Sequence, residues 1–432
     1  MRHWFKDQHM RSLLKNSSYL GVSKAVAAIA AIATLAFTGR ALGVVMFGVL
    51  ILIHSYAQAA SSLSKFQTWQ IVIRYGGQGL AAGRPDDFKV ATGFSLGLDL
   101  VSGVAGMLLA MAILPFLGGW FGIPDRYMTL ALLYCTVIPT MQAMTPGGVL
   151  RTLDRFDQLS WGSVVDPISR ALLTGIAFAA DAPFEAYVAI WWVTDLAGDA
   201  YLWWLTWREL KRRGMPDAFR PTLRPHPLKG AWRFAISVNL TSSLAAAWGP
   251  VARLIVGGLL GPASAAFYRI AAILADSAQR PTDMLARAFY PEVMRMDPTT
   301  KRPWNLMLRG AVLAAMFGVV AVLLVIVAGE RIIRLIFGAG FEGAYAPLSV
   351  LIVAPLLAMI SFPMPPMLYA LHRDNAPLVA RIVGTLVYFA IVVPLSLQFG
   401  VAGAAAAFVI GTAVMVAVLG VQLARAYRRV RG

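Results

Sequence analysis

Apolar runs of about 20 residues recur along the chain, each long enough to cross a hydrocarbon core of about 30 Å as a helix. Twelve are legible: Tyr19 to Thr38, Val44 to Ser64, Phe88 to Leu114, Met128 to Thr145, Trp161 to Ala179, Ala186 to Leu205, Ile236 to Gly249, Ala263 to Leu285, Leu306 to Val327, Leu348 to Leu371, Pro377 to Leu397 and Val401 to Leu423. The seventh is short as written and extends into its flanks. No interval between runs is long enough for an extramembrane catalytic domain. The pattern predicts an all-α polytopic membrane protein of twelve transmembrane helices.

One run breaks the apolar rule in an ordered way. Between Tyr268 and Arg287 stand Arg269, Asp276, Arg280, Asp283 and Arg287. At about 100° of rotation per residue these spacings put all five in an arc of roughly 60°. Facing lipid, the stripe would cost about 2.5–3.5 kcal/mol per central charge, so it is expected to face the bundle interior or a wet cavity. Asp276 with Arg280 and Asp283 with Arg287 also read as i,i+4 ion pairs, which leaves Arg269 without a helical partner. Pro281 deletes a backbone donor beside Arg280, so a kink is expected there.

Composition agrees with the membrane reading. Of 432 residues, 58% are hydrophobic and 14% charged, against about 45–50% and about 25% in soluble domains. Lysine and arginine crowd the connections on the N-terminal side, whereas the opposite connections hold only Arg40, Arg126, Arg253, Arg331 and Arg334. The positive-inside bias therefore predicts cytoplasmic N- and C-termini. The net charge of +17 is read as topology and attraction to anionic membrane lipids, not as nucleic-acid binding. The first apolar run exceeds a signal-peptide core, so it is expected to remain as the first span. Cys135 is the single cysteine and the five histidines lack ligand spacing, so no metal site is expected. With no hydrolase or nucleotide-binding motif either, the chain does not read as an enzyme.

The basic, proline-containing connection from Thr206 to Phe234 divides six spans from six. Sliding the halves at an offset of 218 places Leu42-Gly43 on Leu260-Gly261 and Ala27-Ala28 on Ala245-Ala246. The expected organisation is an N-terminal lobe (1–205), a cytoplasmic basic linker (206–235) and a C-terminal lobe (236–432), related by a pseudo-two-fold axis along the membrane normal.

Further ionisable residues fall in or beside spans. Lys24, preceded by Asn16, Ser17, Ser18 and Ser23, either snorkels to headgroups or receives an anion. Arg74 follows the second span, where it either binds substrate or marks the charged boundary. Asp166 and Arg170 are an i,i+4 pair. Asp99, Asp195 and Asp199 either take up a coupling ion or pair with an unseen donor. Arg253 is placed in the connection after the seventh span. Tryptophans 191, 192, 203, 204 and 207 bracket the sixth span as interfacial anchors. Acids balance bases in this interior set, so charge by itself does not select an anionic substrate.

Several segments resemble one family. "TGRALGVVMFGVL", "IVIRYGGQGLAAGR", "PGGVLRTLDRFDQLS", "VGGLLGPASAAFYRIAAIL", "YPEVMRM", "IFGAGFEGAYAPLSVL" and "LHRDNAPLVARIVGTLVYFAIVVPLSLQFGVAGAAAAFVIGTAV" are similar, in this order, to polysaccharide repeat-unit flippases of the multidrug, oligosaccharidyl-lipid and polysaccharide (MOP) exporter superfamily. The resemblance implies a V-shaped, MATE-like transporter with its substrate site between two lobes. Its implied cargo is an undecaprenyl-diphosphate-linked oligosaccharide moved to the periplasmic leaflet for exopolysaccharide, capsule or O-antigen assembly. Lys24, Arg74, Arg170, Arg253, Arg269 and Arg280 are then the candidate substrate contacts, with Arg269 and Arg280 suited to a diphosphate. Asp99, Asp166, Asp195, Asp199 and Asp276 are candidates for ion coupling or charge pairing, with H⁺ or Na⁺ as coupling ion and no other cofactor. A polysaccharide polymerase and chain-length machinery are the implied partners. Competing readings are an ion-coupled multidrug exporter of the same superfamily, a lipid II flippase, and a membrane polymerase or ligase; the last lacks the large outer loop it would need.

Overall fold

The computed structural model describes residues 8–141, 144–294, 296, 300–371, 373 and 375–431, without the side chains of 8–20, 237–238, 240–247, 280–285, 287–288, 290–292, 294 and 429–431. Every regular element among the described residues is helical. In chain order they are α1 (Gln8–Ser64), α2 (Thr68–Ile71), α3 (Gly77–Ala81), α4 (Pro85–Leu117), α5 (Met128–Tyr134), α6 (Met144–Thr152), α7 (Phe156–Ala179), α8 (Phe184–Arg212), α9 (Ala231–Leu260), α10 (Pro262–Met294), α11 (Lys301–Phe337), α12 (Tyr345–Leu351), α13 (Val353–Ser361), α14 (Met364–Ala370) and α15 (Ala376–Arg431), with short 3₁₀ and π turns between some of them. The chain is a multi-pass, all-α membrane protein.

Eleven of the expected spans fall on these helices, and the fourth begins on α5 and passes through a turn at 138–141. The first two share α1, which changes direction at Gly43, and the last two share α15, which does so at Gly400. The fourth and tenth are each built from short consecutive helices. Among the described residues, five stretches are long and apolar enough to cross a membrane by composition alone: Gly21–Ala81, Pro85–Leu117, Lys301–Phe337, Ala339–Ala370 and Ala376–Arg428. The long helices α7, α8 and α10 miss that measure because Asp166, Arg170, Asp195, Asp199, Arg269 and Asp276 sit on them. The seventh span extends in both directions, as expected, through Pro250 to Leu260.

The internal repeat is written into the turns. Gly43 (φ 68°) and Gly261 (φ 86°) separate spans one and two and spans seven and eight. Both are left-handed positions where a Cβ would clash with the following carbonyl, which glycine alone avoids at no steric cost. They lie 218 residues apart. Gly122 and Gly338 lie 216 apart and Asp181 and Gly400 lie 219 apart, all with positive φ at further turns. The sequence offset is thus a repeat of backbone geometry.

The chain forms two compact units, Met1–Leu42 with Leu52–Val251, and Gly43–Ile51 with Ala252–Gly432. In the first unit the expected linker is packed. Thr222 N–H donates to Gly93 O at 3.0 Å, and Leu228, Ala231 and Ala235 share a core with Ile71, Phe94 and Leu98. Another core joins Val72, Phe88, Val149, Leu153, Leu210 and Ala218. In the second unit Phe289, Val293, Met367, Leu368, Ala376, Ala380, Leu419 and Leu423 form a core.

Candidate functional site

In the first unit, four helices bring a polar chain into an apolar bundle. Arg170 on α7 is one helical turn from Asp166 and donates to its Oδ1 at 2.6 Å. The same guanidinium bonds Asp195 of α8 and, through Nε, the Thr194 hydroxyl at 2.9 Å. Trp191, 2% exposed, lies beneath it at 5.1 Å from the ring centroid. The Tyr134 hydroxyl of α5 donates to the other oxygen of Asp195. That commits its single proton, so the His54 Nδ1 of α1, 3.0 Å from the Tyr134 oxygen, is the nitrogen that carries hydrogen. Arg170, Asp195 and His54 are 11–12% exposed and Asp166 31%. One cation thus meets two carboxylates, with a histidine at the edge.

Close helix packing makes this possible. Gly162 on α7 receives Leu202 of α8, and Gly198 on α8 leaves room for Asp166, whose Cβ would stand 2.5 Å from an added methyl. The i,i+4 pair expected from the sequence is present, but its strongest partner comes from the neighbouring helix. Asp195 thus has an arginine partner on α7. Trp191 departs from the interfacial expectation because it packs on the guanidinium inside the bundle. Trp204 and Trp207 stay exposed beside Arg208 and Lys211.

A second buried group surrounds the interruption of the fourth span. Asp99, 2% exposed on α4, accepts from the hydroxyls of Thr68 (2.9 Å) and Thr145 (2.7 Å) and from the Thr145 N–H (3.0 Å). Lys65, also 2% exposed, donates to the carbonyls of Pro139 and Met141. Asp99 and Asp199 both lie within electrostatic reach of its ammonium. Lys65, Thr68, Thr145, His54 and Tyr134 escaped the sequence reading. Lys65 lies just past an apolar run and reads as a boundary charge, and a lone His54 inside a span was the one available signal for the other group.

In the second unit, Arg253 is a correction. It does not lie in a connection but inside α9, 4% exposed, because Pro250 is accommodated within the helix rather than ending it. Such prolines are tolerated in membrane helices whose freed groups find other partners. Arg253 and Arg269 stand eight residues before and eight after the Gly261 turn, which puts both about 12 Å down their helices from it. They lie within electrostatic reach of one another, of the buried Tyr268 and of Asp276. Arg269 is half-buried and Asp276 exposed. α10 is continuous from Pro262 to Met294. The side chains of Arg280, Pro281, Asp283 and Arg287 lie outside the described residues, as do those of Thr241, Ser242 and Ser243. Lys24 is exposed on α1, and Arg74 is exposed with its guanidinium 4.4 Å from the Phe234 ring centroid.

Where the fourth, fifth and sixth spans end, a third charge cluster lies outside the apolar runs. Arg155 bonds both oxygens of Asp157 (3.0 and 2.9 Å) and reaches Glu209 at 2.8 Å. Arg213 takes the other Glu209 oxygen at 2.8 Å and donates to Leu153 O at 3.0 Å. The hydrogen bonds from Arg155 hold the Asp157 carboxyl below its ordinary range. Burial opposes charge on Glu209, but Arg213 and Arg155 override it and hold that carboxyl low as well.

Broken and hairpinned helices, with charges paired inside the first unit, define a class by fold: all-α polytopic membrane proteins built like the MATE transporters. The backbone is similar to an inward-facing multidrug resistance MATE family transporter of the MOP superfamily (TM-score 0.76, 14% identity, 94% of this chain and 95% of that one). It is also similar to a Vibrio cholerae MATE transporter (0.65, 13%, 97% of each) and to a MOP superfamily transporter from Pyrococcus furiosus (0.64, 14%, 97% and 95%). Residues 13–296 match the family described as polysaccharide biosynthesis protein, and the chain belongs to that family. It is 39% identical over 347 residues to the inner membrane protein YghQ of Escherichia coli, covering 80% of this chain and 98% of that protein.

Proposed function

We propose that the protein flips a diphosphate-linked oligosaccharide carried on an undecaprenyl lipid, by alternating access, from the cytoplasmic to the periplasmic leaflet of the inner membrane. The observation that carries this reading is the placement of Arg253 and Arg269 at matching depths of a membrane hairpin. The two guanidiniums lie within electrostatic reach of one another, so a single anionic headgroup could draw on both charges. Guanidinium forks suit phosphate oxygens. Membership of a polysaccharide biosynthesis family supports a glycan cargo, and an isoprenoid tail can stay in lipid while only the head needs shielding. Polysaccharide polymerase and chain-length machinery would receive the product.

Coupling is proposed at the Asp195 group. His54, Tyr134 and Asp195 form a hydrogen-bonded chain able to take up a proton, with Asp166 the more accessible acid.

Reconstitution tests the reading. Purified protein in liposomes holding a fluorescent lipid diphosphate oligosaccharide on the inner leaflet should expose it to an impermeant glycosidase, and an acid-side pH gradient should change the rate. Arg253→Ala and Arg269→Ala should each slow exposure tenfold or more while the protein elutes and melts as a folded species. Unchanged rates in both variants and in the double variant would remove the arginines from the mechanism. Organic-cation export is the second reading, favoured by the fold's multidrug neighbours. It predicts ethidium efflux and no glycolipid exposure.

A further inference from the structure

We propose that Lys65 is a tethered cation occupying an alkali-ion position built at the break of the fourth span. α5 gives way to a 3₁₀ turn at Cys135–Val137 and a further turn over residues 138–141, ahead of α6. Such a break leaves carbonyls on one side and N–H groups on the other without helical partners, and membrane hydrocarbon supplies none. Each side is met by the matching charge. The Lys65 Nζ takes the carbonyls of Pro139 at 3.1 Å and Met141 at 2.6 Å. Across the break, the Asp99 carboxylate takes the Thr145 N–H in the first turn of α6. A cation at carbonyl ends and an anion at an amide end is the arrangement the helix dipole favours.

The donor set around the ammonium is oxygen throughout: two main-chain carbonyls, with the carboxylates of Asp99 and Asp199 within electrostatic reach. Hard oxygen ligands of this kind suit alkali cations, and unwound carbonyls at half-helix ends coordinate Na⁺ in broken-helix transporters. Here an amino-acid side chain reaches the same place. Lys65 is almost fully buried and lies one residue past the end of α1, so its stem enters from the helix terminus. The charge is therefore permanent rather than exchangeable. The first unit takes up no Na⁺ or K⁺ at this break, and any ion coupling must act elsewhere.

Removing the tether should uncover the ion site. Purified wild-type protein should melt at the same temperature in NaCl, KCl or choline chloride at equal ionic strength. Lys65→Ala should melt several degrees lower in choline and recover part of that loss, saturably, in NaCl or KCl. Adding Asp99→Asn should abolish the recovery. Lys65→Met retains the stem and removes only the charge, so it should melt low in all three salts. A Lys65→Ala variant indifferent to the cation, a wild-type protein stabilised saturably by Na⁺ or K⁺, or a Lys65→Met variant melting like wild type would each overturn the proposal. Melting does not involve the carried glycolipid, so these outcomes separate from those of the flipping assay.

Discussion

Arg170 illustrates how much one side chain holds in a low-dielectric interior. It bonds Asp166, Asp195 and Thr194 and covers Trp191. Arg170→Met would strand two carboxylates, and breaking a buried pair from one side costs about 3–5 kcal/mol. The expected outcome is a large fall in melting temperature in detergent, partly reversed when Asp195→Asn is added; no recovery would mean that the pair is not the coupled unit. Glu209 gives a pH prediction. Its carboxyl and that of Asp157 are held low in the folded protein, so the stability they contribute is full above their unfolded values of about 4.3 and 3.9. It is lost as pH falls through the folded values. Melting temperature should stay level from neutral pH down to about 5 and then decline, and Glu209→Gln should lower the neutral plateau and flatten the decline. Asp157 is 44% exposed, so solvent screening makes it the smaller contributor.

Helices in this protein are placed by close approach as much as by apolar stripes. An added Cβ at Gly97 would run into the Thr222 carbonyl, and one at Gly93 would stand 2.6 Å from the Arg220 carbonyl. Gly97→Val should therefore push the 216–235 segment off α4, which limited proteolysis at its arginines would register as faster cleavage. Gly43 differs, because an added Cβ would touch nothing within 4 Å. Gly43→Ala should cost only the strain of its extended positive-φ backbone (φ 68°, ψ 173°), about 1–3 kcal/mol, read as a melting shift. Gly261 has the same open surroundings and positive φ, so Gly261→Ala should cost a similar amount. A large difference between the two would show that the repeat is not energetically equivalent.

For the molecule as a whole, three pairs of positive-φ turns recur at 216–219 residues, while the chemistry of the two units differs. The first unit carries paired acids and bases, with Arg170 bonded to two carboxylates and Lys65 bonded to two carbonyls within electrostatic reach of two more acids. The second carries Arg253 and Arg269 on one hairpin. Glycolipid exposure should accordingly depend on the second unit's arginines in the affinity for lipid diphosphate, measured as the concentration giving half-maximal rate. It should depend on Asp195 in the response to a pH gradient: Asp195→Asn should abolish the gradient effect. If both sets of variants changed the same parameter, the division of labour would fail.

The twelve spans and the two-fold repeat were legible in the chain because membrane hydrocarbon imposes a local rule: about 20 apolar residues per crossing, with glycine at turns that need left-handed backbone. The Asp166–Arg170 pair was legible for the same reason, since i,i+4 contact belongs to a single helix. What joined Asp195, Tyr134 and His54 to that pair was the packing of separate helices, and no spacing along the chain encodes it. Lys65 shows the limit most clearly. By sequence it is one more basic residue after a span. Only the break in a helix more than seventy residues later, with its unpaired carbonyls, gives that charge a place inside the bundle.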